Sequence, residues 1–260
     1  SFSDGGLQAR LDQALARAEA LLEEGADVLD VGGESTRPGA PPVPEAEEIR
    51  RIAPVLERLR SRSARPISID TRKAAVARAA LDAGADWVND VSALGHDPGM
   101  APLCAARGCC VVLMHMRGTP ETMQADTAYA DVVAEVHAYL RRRAAFAIEA
   151  GIAPGVLLVD PGIGFGKGPA ENLELLRRLA ELRTLGLPIL AGTSRKSFIG
   201  AVLGRPVGER LMGTAATVAA AVLAGARVVR VHDVAAMKDA ALMAAAIREG
   251  GRFRPEEAVR

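Results

Sequence analysis

The sequence has few aromatic residues, few cysteines and no excess charge, and each scarcity narrows what the chain can be. Phe, Trp and Tyr make up 3% of its 260 residues, yet hydrophobic residues in all make up 49%, ample apolar mass for a large core. Lys plus Arg and Asp plus Glu both number 32, so the net charge is zero and there is no basic excess of the kind nucleic-acid binders carry. The three cysteines, Cys104, Cys109 and Cys110, are an odd count for a disulfide framework, and their spacing matches no zinc motif. They read as reduced thiols, which points to the cytoplasm. The most apolar stretch, Leu211 to Gly225, is too short and too rich in Ala, Thr and Gly for a membrane span. Ser1–Gly6 has the pattern of neither a signal nor a transit peptide. Only four Lys stand against 28 Arg, a bias that both heat adaptation and a GC-rich genome produce.

The chain does contain a repeated theme. Short apolar runs at Asp27–Val31, Pro66–Ile69, Asp86–Val88, Cys109–Met114, Val156–Val159, Pro188–Ala191 and Arg227–Val231 have the composition of strands buried on both faces. Between them lie helical patterns at Leu7–Glu24, Glu45–Arg62, Lys73–Ala83, Pro98–Arg107, Tyr129–Ala150, Ala170–Leu185, Ser197–Gly225 (broken near Arg205-Pro206) and Val234–Glu249. Gly25-Ala26-Asp27, Gly84-Ala85-Asp86 and Gly225-Ala226-Arg227 each close a helix and open a strand, with Gly where a left-handed cap is needed. Regular alternation predicts one domain over residues 1–260, an α/β fold of the (β/α)8 TIM-barrel type. Seven strands are found, and the chain opens on a helix, so the first strand of the barrel is expected to be missing from it. An open, doubly wound seven-stranded sheet is the alternative.

In a barrel, chemistry sits at the C-terminal strand ends. Those ends carry Asp30 with Glu34, then Asp70, Asn89 with Asp90, His115, Asp160, Thr193, and Arg230 with His232. Any one of them could be a helix cap or a structural partner, as Asp70-Thr71 before a helix illustrates; seven together are hard to explain that way. Carboxylates and an amide suit the N–H edges of a nitrogen heterocycle, and a terminal Arg and His suit phosphate. Thr193 or Ser194 reads as an N-cap, followed by Arg195 and Lys196 in the first turn, where the macrodipole disfavours cations unless they meet a ligand. Asp160–Gly168 is glycine-rich but fits neither a dinucleotide fingerprint nor a Walker loop; it offers close backbone approach and one ring, Phe165, to stack on a flat ligand. His115 reads equally as a core residue or as a ligand contact. The Pro-rich segment Gly32–Pro44 reads as a lid or binding loop.

With Ser1-Phe2-Ser3-Asp4-Gly5-Gly6, Asp30-Val31-Gly32-Gly33-Glu34-Ser35-Thr36-Arg37-Pro38-Gly39, Ile69-Asp70-Thr71, Asn89-Asp90-Val91-Ser92, Met114-His115-Met116, Asp160–Lys167, Ser194–Gly200 and Arg230-Val231-His232-Asp233 in order, the chain resembles the dihydropteroate synthase family over essentially its whole length. The resemblance implies a homodimeric cytoplasmic transferase of folate biosynthesis. Such an enzyme condenses 6-hydroxymethyl-7,8-dihydropterin diphosphate with 4-aminobenzoate, giving 7,8-dihydropteroate and diphosphate with Mg²⁺. It implies that Asp70, Asn89, Asp160 and Lys196 hold the pterin, lined by Met114, Phe165 and Gly192. It gives Arg230 and His232 the diphosphate, Thr36, Arg37, Pro38 and Ser197 the aminobenzoate, and Asp70 and Lys196 the catalytic roles. The family's Asn-x-Thr-Pro-Asp, whose Asn contacts diphosphate and magnesium, does not stand before Ser1 here. Two other readings would share the pterin contacts: a methyltetrahydrofolate–corrinoid methyltransferase, which needs no diphosphate pair, and a non-catalytic pterin-binding protein.

Overall fold

The structure, a computed structural model, describes residues 4–36 and 39–250. It divides into two compact units, one of Ser1–Met114 with Arg143–Leu157 and one of His115–Arg142 with Leu158–Arg260.

In the first unit the chain runs α1 (Asp4–Glu23), β1 (Leu29–Val31), α2 (Glu45–Arg62), β2 (Ile67–Asp70), α3 (Ala74–Asp82), β3 (Trp87–Asp90), α4 (Met100–Arg107) and β4 (Cys110–Met114). The strands are parallel and pair in chain order, with Asp30 beside Ser68, Asp70 beside Asn89 and Asn89 beside Val112. Each strand is too short and too apolar to stand alone; burial of Ile67, Ile69, Val88, Val111 and Leu113 against the helices holds it. Helix α2 shows the logic. It buries Ile52, Val55, Leu56 and Leu59 on one face and carries Glu45, Glu47 and Glu48 in its first turn with Arg60 and Arg62 in its last, the arrangement the helix macrodipole favours. Gly25 and Gly84 turn the chain from helix to strand at φ +96° and +102°.

In the second unit β5 (Leu157–Asp160), β6 (Ile189–Ala191) and β7 (Ala226–Val229) are again parallel neighbours in chain order. Helices α5 (Val132–Glu149), α6 (Pro169–Arg177), α7 (Ser197–Leu203), α8 (Leu211–Leu223) and α9 (Val234–Arg248) alternate with them, the first and β5 being cut by the unit boundary. Val136, Leu140, Val159, Leu175, Ile189 and Phe198 form the core of this unit. Strand order reverses in neither unit, as it would at the switch point of a doubly wound sheet. The fold class is parallel α/β of the (β/α)-barrel type, with seven strands among the described residues, one at each of the seven apolar runs.

Two local expectations need correction. The pattern read as one helix over Ala170–Leu185 is α6 followed by a 3₁₀ segment, Leu179–Leu185. Helix α7 has neither Thr193 nor Ser194 as its cap; it starts after Lys196, with no side-chain cap, so Arg195 and Lys196 precede the first turn. The small residue Gly213 of α8 serves packing within the chain, since a Cβ there would come within 2.4 Å of Ile199 Cγ2 on α7.

Candidate active site

The strand ends of the first unit gather polar side chains out of solvent. Asp70 and Asn89 close neighbouring strands in register, each only 7% exposed, and Asn89 Nδ2 lies 3.4 Å from Asp30 Oδ2. Burying a carboxylate costs free energy unless something offsets it, so residues of this type at strand ends are kept there for a purpose. Capping is not the role of Asp70: the first N–H of α3, on Ala74, donates to Asp97 Oδ2 at 2.7 Å. Asp90, the other acid of the Asn89-Asp90 pair, is structural. Its carboxylate accepts Ser92 N–H (2.7 Å), Ser92 O–H (2.6 Å) and Leu94 N–H (3.0 Å), which shapes the turn after β3. Complete burial still pushes its pKa up. Met114 is buried at the end of β4, and Thr36 is half-buried in the Pro-rich segment. Arg37 and Pro38 lie outside the described residues.

In the second unit Asp160 ends β5, 7% exposed, with Oδ1 accepting the Gly162 N–H at 2.7 Å. Burial raises its pKa, against the charges of Lys196, Lys167 and Arg230 and that hydrogen bond. The chain then folds tightly over itself. Gly162 and Gly164 adopt φ +67° and +81°, and a Cβ on Gly162 would strike the His115 carbonyl oxygen at 1.9 Å. Asn172 of α6 accepts the Gly164 N–H at 2.6 Å and donates to Lys167 O (3.1 Å) and Gly168 O (2.7 Å), so the loop is held through its backbone.

Lys167 is the centre of this loop. Its Nζ lies 2.8 Å from His115 Nδ1, 2.9 Å from Phe165 O and 3.0 Å from Gly162 O. Burial lowers its pKa to about 7, with Asp160 opposing and the charges of Lys196 and Arg117 adding to the depression. Burial likewise pushes His115 down to about 2, aided by Lys167 and Arg117. His115 is therefore neutral at physiological pH, and its ring packs edge-on to Tyr139 at 4.8 Å. It acts as a buried acceptor for Lys167.

Lys196 and Arg195 are adjacent cations with different fates. Arg195 takes a left-handed backbone, φ +58°, and pairs with Asp233, its Nε 3.0 Å from Oδ2. Lys196 donates to Ile163 O and stands 4.7 Å above the Phe165 ring. Burial lowers the Lys196 pKa to about 8, with Asp160 opposing and Arg230 adding to the fall. Gly192, buried after β6, lies between these two cations: a Cβ on it would stand 3.8 Å from both Arg230 Cβ and Lys196 Nζ, ordinary contact distance. Arg230 continues β7, its N–H donating to Ala191 O at 3.1 Å, and both Arg230 and His232 are exposed. Ser194 Oγ accepts the His232 N–H (3.2 Å) and lies 2.9 Å from His232 Nδ1. Ser197 is the exposed first residue of α7. Lys196, Arg230 and His232 thus offer an anion three cationic or hydrogen-bonding groups, and Asp160 offers an acceptor to ring N–H donors.

The two depressed lysines set a pH dependence of stability. An unfolded lysine titrates near 10.4, so between about pH 7 and 10 the unfolded chain binds more protons than the folded one, and stability rises with pH through this window. The urea midpoint of the protein should therefore rise from pH 7 to pH 9.5, and by less in Lys167→Met. An equal rise in both proteins would contradict the assignment to Lys167.

Among the described residues no three His, Cys, Asp or Glu side chains converge as they would around a metal ion. They do not fit a protein-built cation cage. Among the same residues no helix is long and apolar enough to cross a membrane.

Known proteins resemble this chain in sequence and fold. Residues 1–232 match the pterin binding enzyme family. The dihydropteroate synthase of Synechocystis sp. is 46% identical, with the match covering 91% of this chain and 82% of that protein. A solved dihydropteroate synthase of Xanthomonas albilineans with 4-aminobenzoic acid is 49% identical with a TM-score of 0.88, covering 95% of this chain and 88% of that one. The same enzyme in complex with 7,8-dihydropteroate aligns at 46% identity and a TM-score of 0.84, over 95% and 88% of the two chains. By this match over most of its length, the chain belongs to the dihydropteroate synthase family of pterin-binding transferases.

Proposed function

We infer that the chain joins 4-aminobenzoate to 6-hydroxymethyl-7,8-dihydropterin diphosphate, forming 7,8-dihydropteroate and releasing diphosphate in folate biosynthesis. The observation that carries the reading is that Lys196 and Arg230 flank Gly192, with buried Asp160 as their counter-charge. A nitrogen heterocycle bearing a diphosphate needs both kinds of group.

In this reading Asp160 accepts the guanidine-like N–H edge of the pterin, a charge-assisted and potentially bidentate contact. Lys196 donates to a ring acceptor. Asn89 and Asp70 hold further ring N–H groups, and Phe165 and Met114 supply apolar contact. Arg230 and His232 take the diphosphate. The reaction runs by departure first. The methylene C–O bond breaks, and its electron pair leaves on diphosphate, whose charge Arg230 and His232 stabilise. The methylene cation delocalises into the dihydropterin, and the Asp70 carboxylate stabilises it electrostatically. The neutral amine of aminobenzoate, positioned by Thr36, Arg37, Pro38 and Ser197, attacks this carbon and then loses a proton. The protein's part is to orient the amine and exclude water. Magnesium commonly arrives on substrate phosphates with only one or two protein ligands, so the proposed Mg²⁺ dependence assigns no ligand to this chain. A diphosphate-release assay tests the reading: release should depend on 4-aminobenzoate, and binding of the pterin without any release would contradict it.

A cytoplasmic homodimer is part of the same proposal. Apolar side chains on α8 and α9 support it, with Met212 77%, Met243 65% and Ile247 63% exposed. Light scattering at micromolar concentration should give twice the chain mass of 27.1 kDa; the mass of a single chain would refute the dimer.

A further inference from the structure

The Pro-rich segment after β1 is tied down at its two stems by a buried charge cluster that the reaction described above does not use. Lys73, the residue before α3, places its Nζ 2.7 Å from Glu34 Oε2, 2.7 Å from Glu48 Oε2 and 2.6 Å from Val43 O. An ammonium has three protons, and here all three have acceptors. Glu34 Oε2 also accepts the Val43 N–H at 2.7 Å, while Arg72 Nε lies 3.4 Å from Glu34 Oε1. Glu34 and Val43 are nine residues apart, so one carboxylate closes residues 35–42 into a loop whose ends touch. Lys73 then pins that closure to α2 through Glu48 and to the turn that follows Asp70.

The near stem is fixed independently. A Cβ on Gly33 would meet Glu48 Cγ at 2.8 Å, and Arg51 Nη1 donates to Gly33 O at 3.0 Å. The cluster is dry: side-chain exposure is 7% for Glu34, 11% for Lys73, 1% for Glu48 and 9% for Arg72. Its two acids and two bases balance. Burial would lower the Lys73 pKa, but the bonds to Glu34 and Glu48 carry it above the ordinary lysine value. Burial would raise that of Glu34, but Lys73, the Val43 N–H and Arg72 hold it below the usual carboxylate range. Plain packing could be had from apolar residues at least as cheaply, and an ionic cluster in which Lys73 bonds both acids and Arg72 lies beside Glu34 instead fixes a single geometry.

We propose that Lys73, Glu34 and Glu48 form a positioning node for the second substrate, an arylamine carboxylate, by fixing the two stems of the segment that carries Thr36. The inference rests on the reading that this segment contacts 4-aminobenzoate. None of the three touches substrate; they act through the loop they close.

Steady-state kinetics on the full chain, with each substrate varied in turn, test it in Lys73→Met, Glu34→Gln and Arg37→Ala. Lys73→Met should raise the KM for 4-aminobenzoate at least tenfold and leave that for pterin diphosphate within threefold. Glu34→Gln should shift the aminobenzoate KM the same way by at least threefold, and sulfonamide inhibition should weaken in parallel. Glu34→Gln keeps an acceptor for the Val43 N–H and decides the matter if Lys73→Met does not fold. If Arg37→Ala raises the aminobenzoate KM but the node variants leave it unchanged, or raise both KM values alike, the node has no positioning role. If Arg37→Ala leaves the aminobenzoate KM unchanged, the reading of the segment fails, and this inference falls with it.

Discussion

Replacing Asp160 with Ala is expected to abolish measurable pterin binding. The carboxylate is buried at the end of β5 and accepts one N–H from its own chain, that of Gly162. Its removal deprives the ligand's N–H edge of a charged acceptor and leaves those donors unpaired in a site from which water is largely excluded. Contacts of this kind contribute about 2–4 kcal/mol, or roughly 30- to 1,000-fold in affinity. Lys167 and Lys196 would also lose the charge that holds their pKa values up, which compounds the effect. Asp160→Asn, which keeps an acceptor for Gly162 but no charge, should fall between wild type and Asp160→Ala. Calorimetry showing less than a threefold change for Asp160→Ala would count against the assignment.

Lys196→Ala and Arg37→Ala are expected to act on different substrates. Lys196 is set by two fixed features, the Ile163 carbonyl and the Phe165 ring 4.7 Å away. Strand ends and such contacts make a largely preformed pterin site. Loss of a charged hydrogen bond there should weaken the pterin by about 1.5–3 kcal/mol, near ten- to 150-fold. Arg37 belongs to the Pro-rich segment assigned above to aminobenzoate, not to the strand ends. Arg37→Ala should raise the aminobenzoate KM and weaken sulfonamides, with pterin diphosphate affinity within threefold of wild type. Equal loss of pterin binding in both variants would refute the division of the site.

The strands and their polar ends were legible because both signals are local. Short apolar runs with polar residues at their ends, and Gly at φ +96° to +111° where a helix turns into a strand, need no knowledge of distant partners. The supporting shell was not legible for the opposite reason. Lys73 looks like an ordinary first residue of a helix until Glu34, 39 positions away, and Glu48, 25 positions away, are brought to it. Asn172 reads as a surface residue of an amphipathic helix, yet it is buried and holds the backbone of the glycine loop. Arg195 and Lys196 are indistinguishable in sequence; only the left-handed turn at Arg195 sends the first to Asp233 and leaves the second beside Phe165. The His115 ambiguity resolves only when Lys167, 52 residues further on, is brought to its ring.

The central claim is that this chain forms a carbon–nitrogen bond at the pterin methylene. The direct test is to incubate the purified protein with both substrates and Mg²⁺ and to measure 7,8-dihydropteroate by mass spectrometry alongside released diphosphate. The account predicts one dihydropteroate for each diphosphate, and no dihydropteroate when 4-aminobenzoate is withheld. Diphosphate released with no dihydropteroate formed, or pterin bound with neither product appearing, would contradict it.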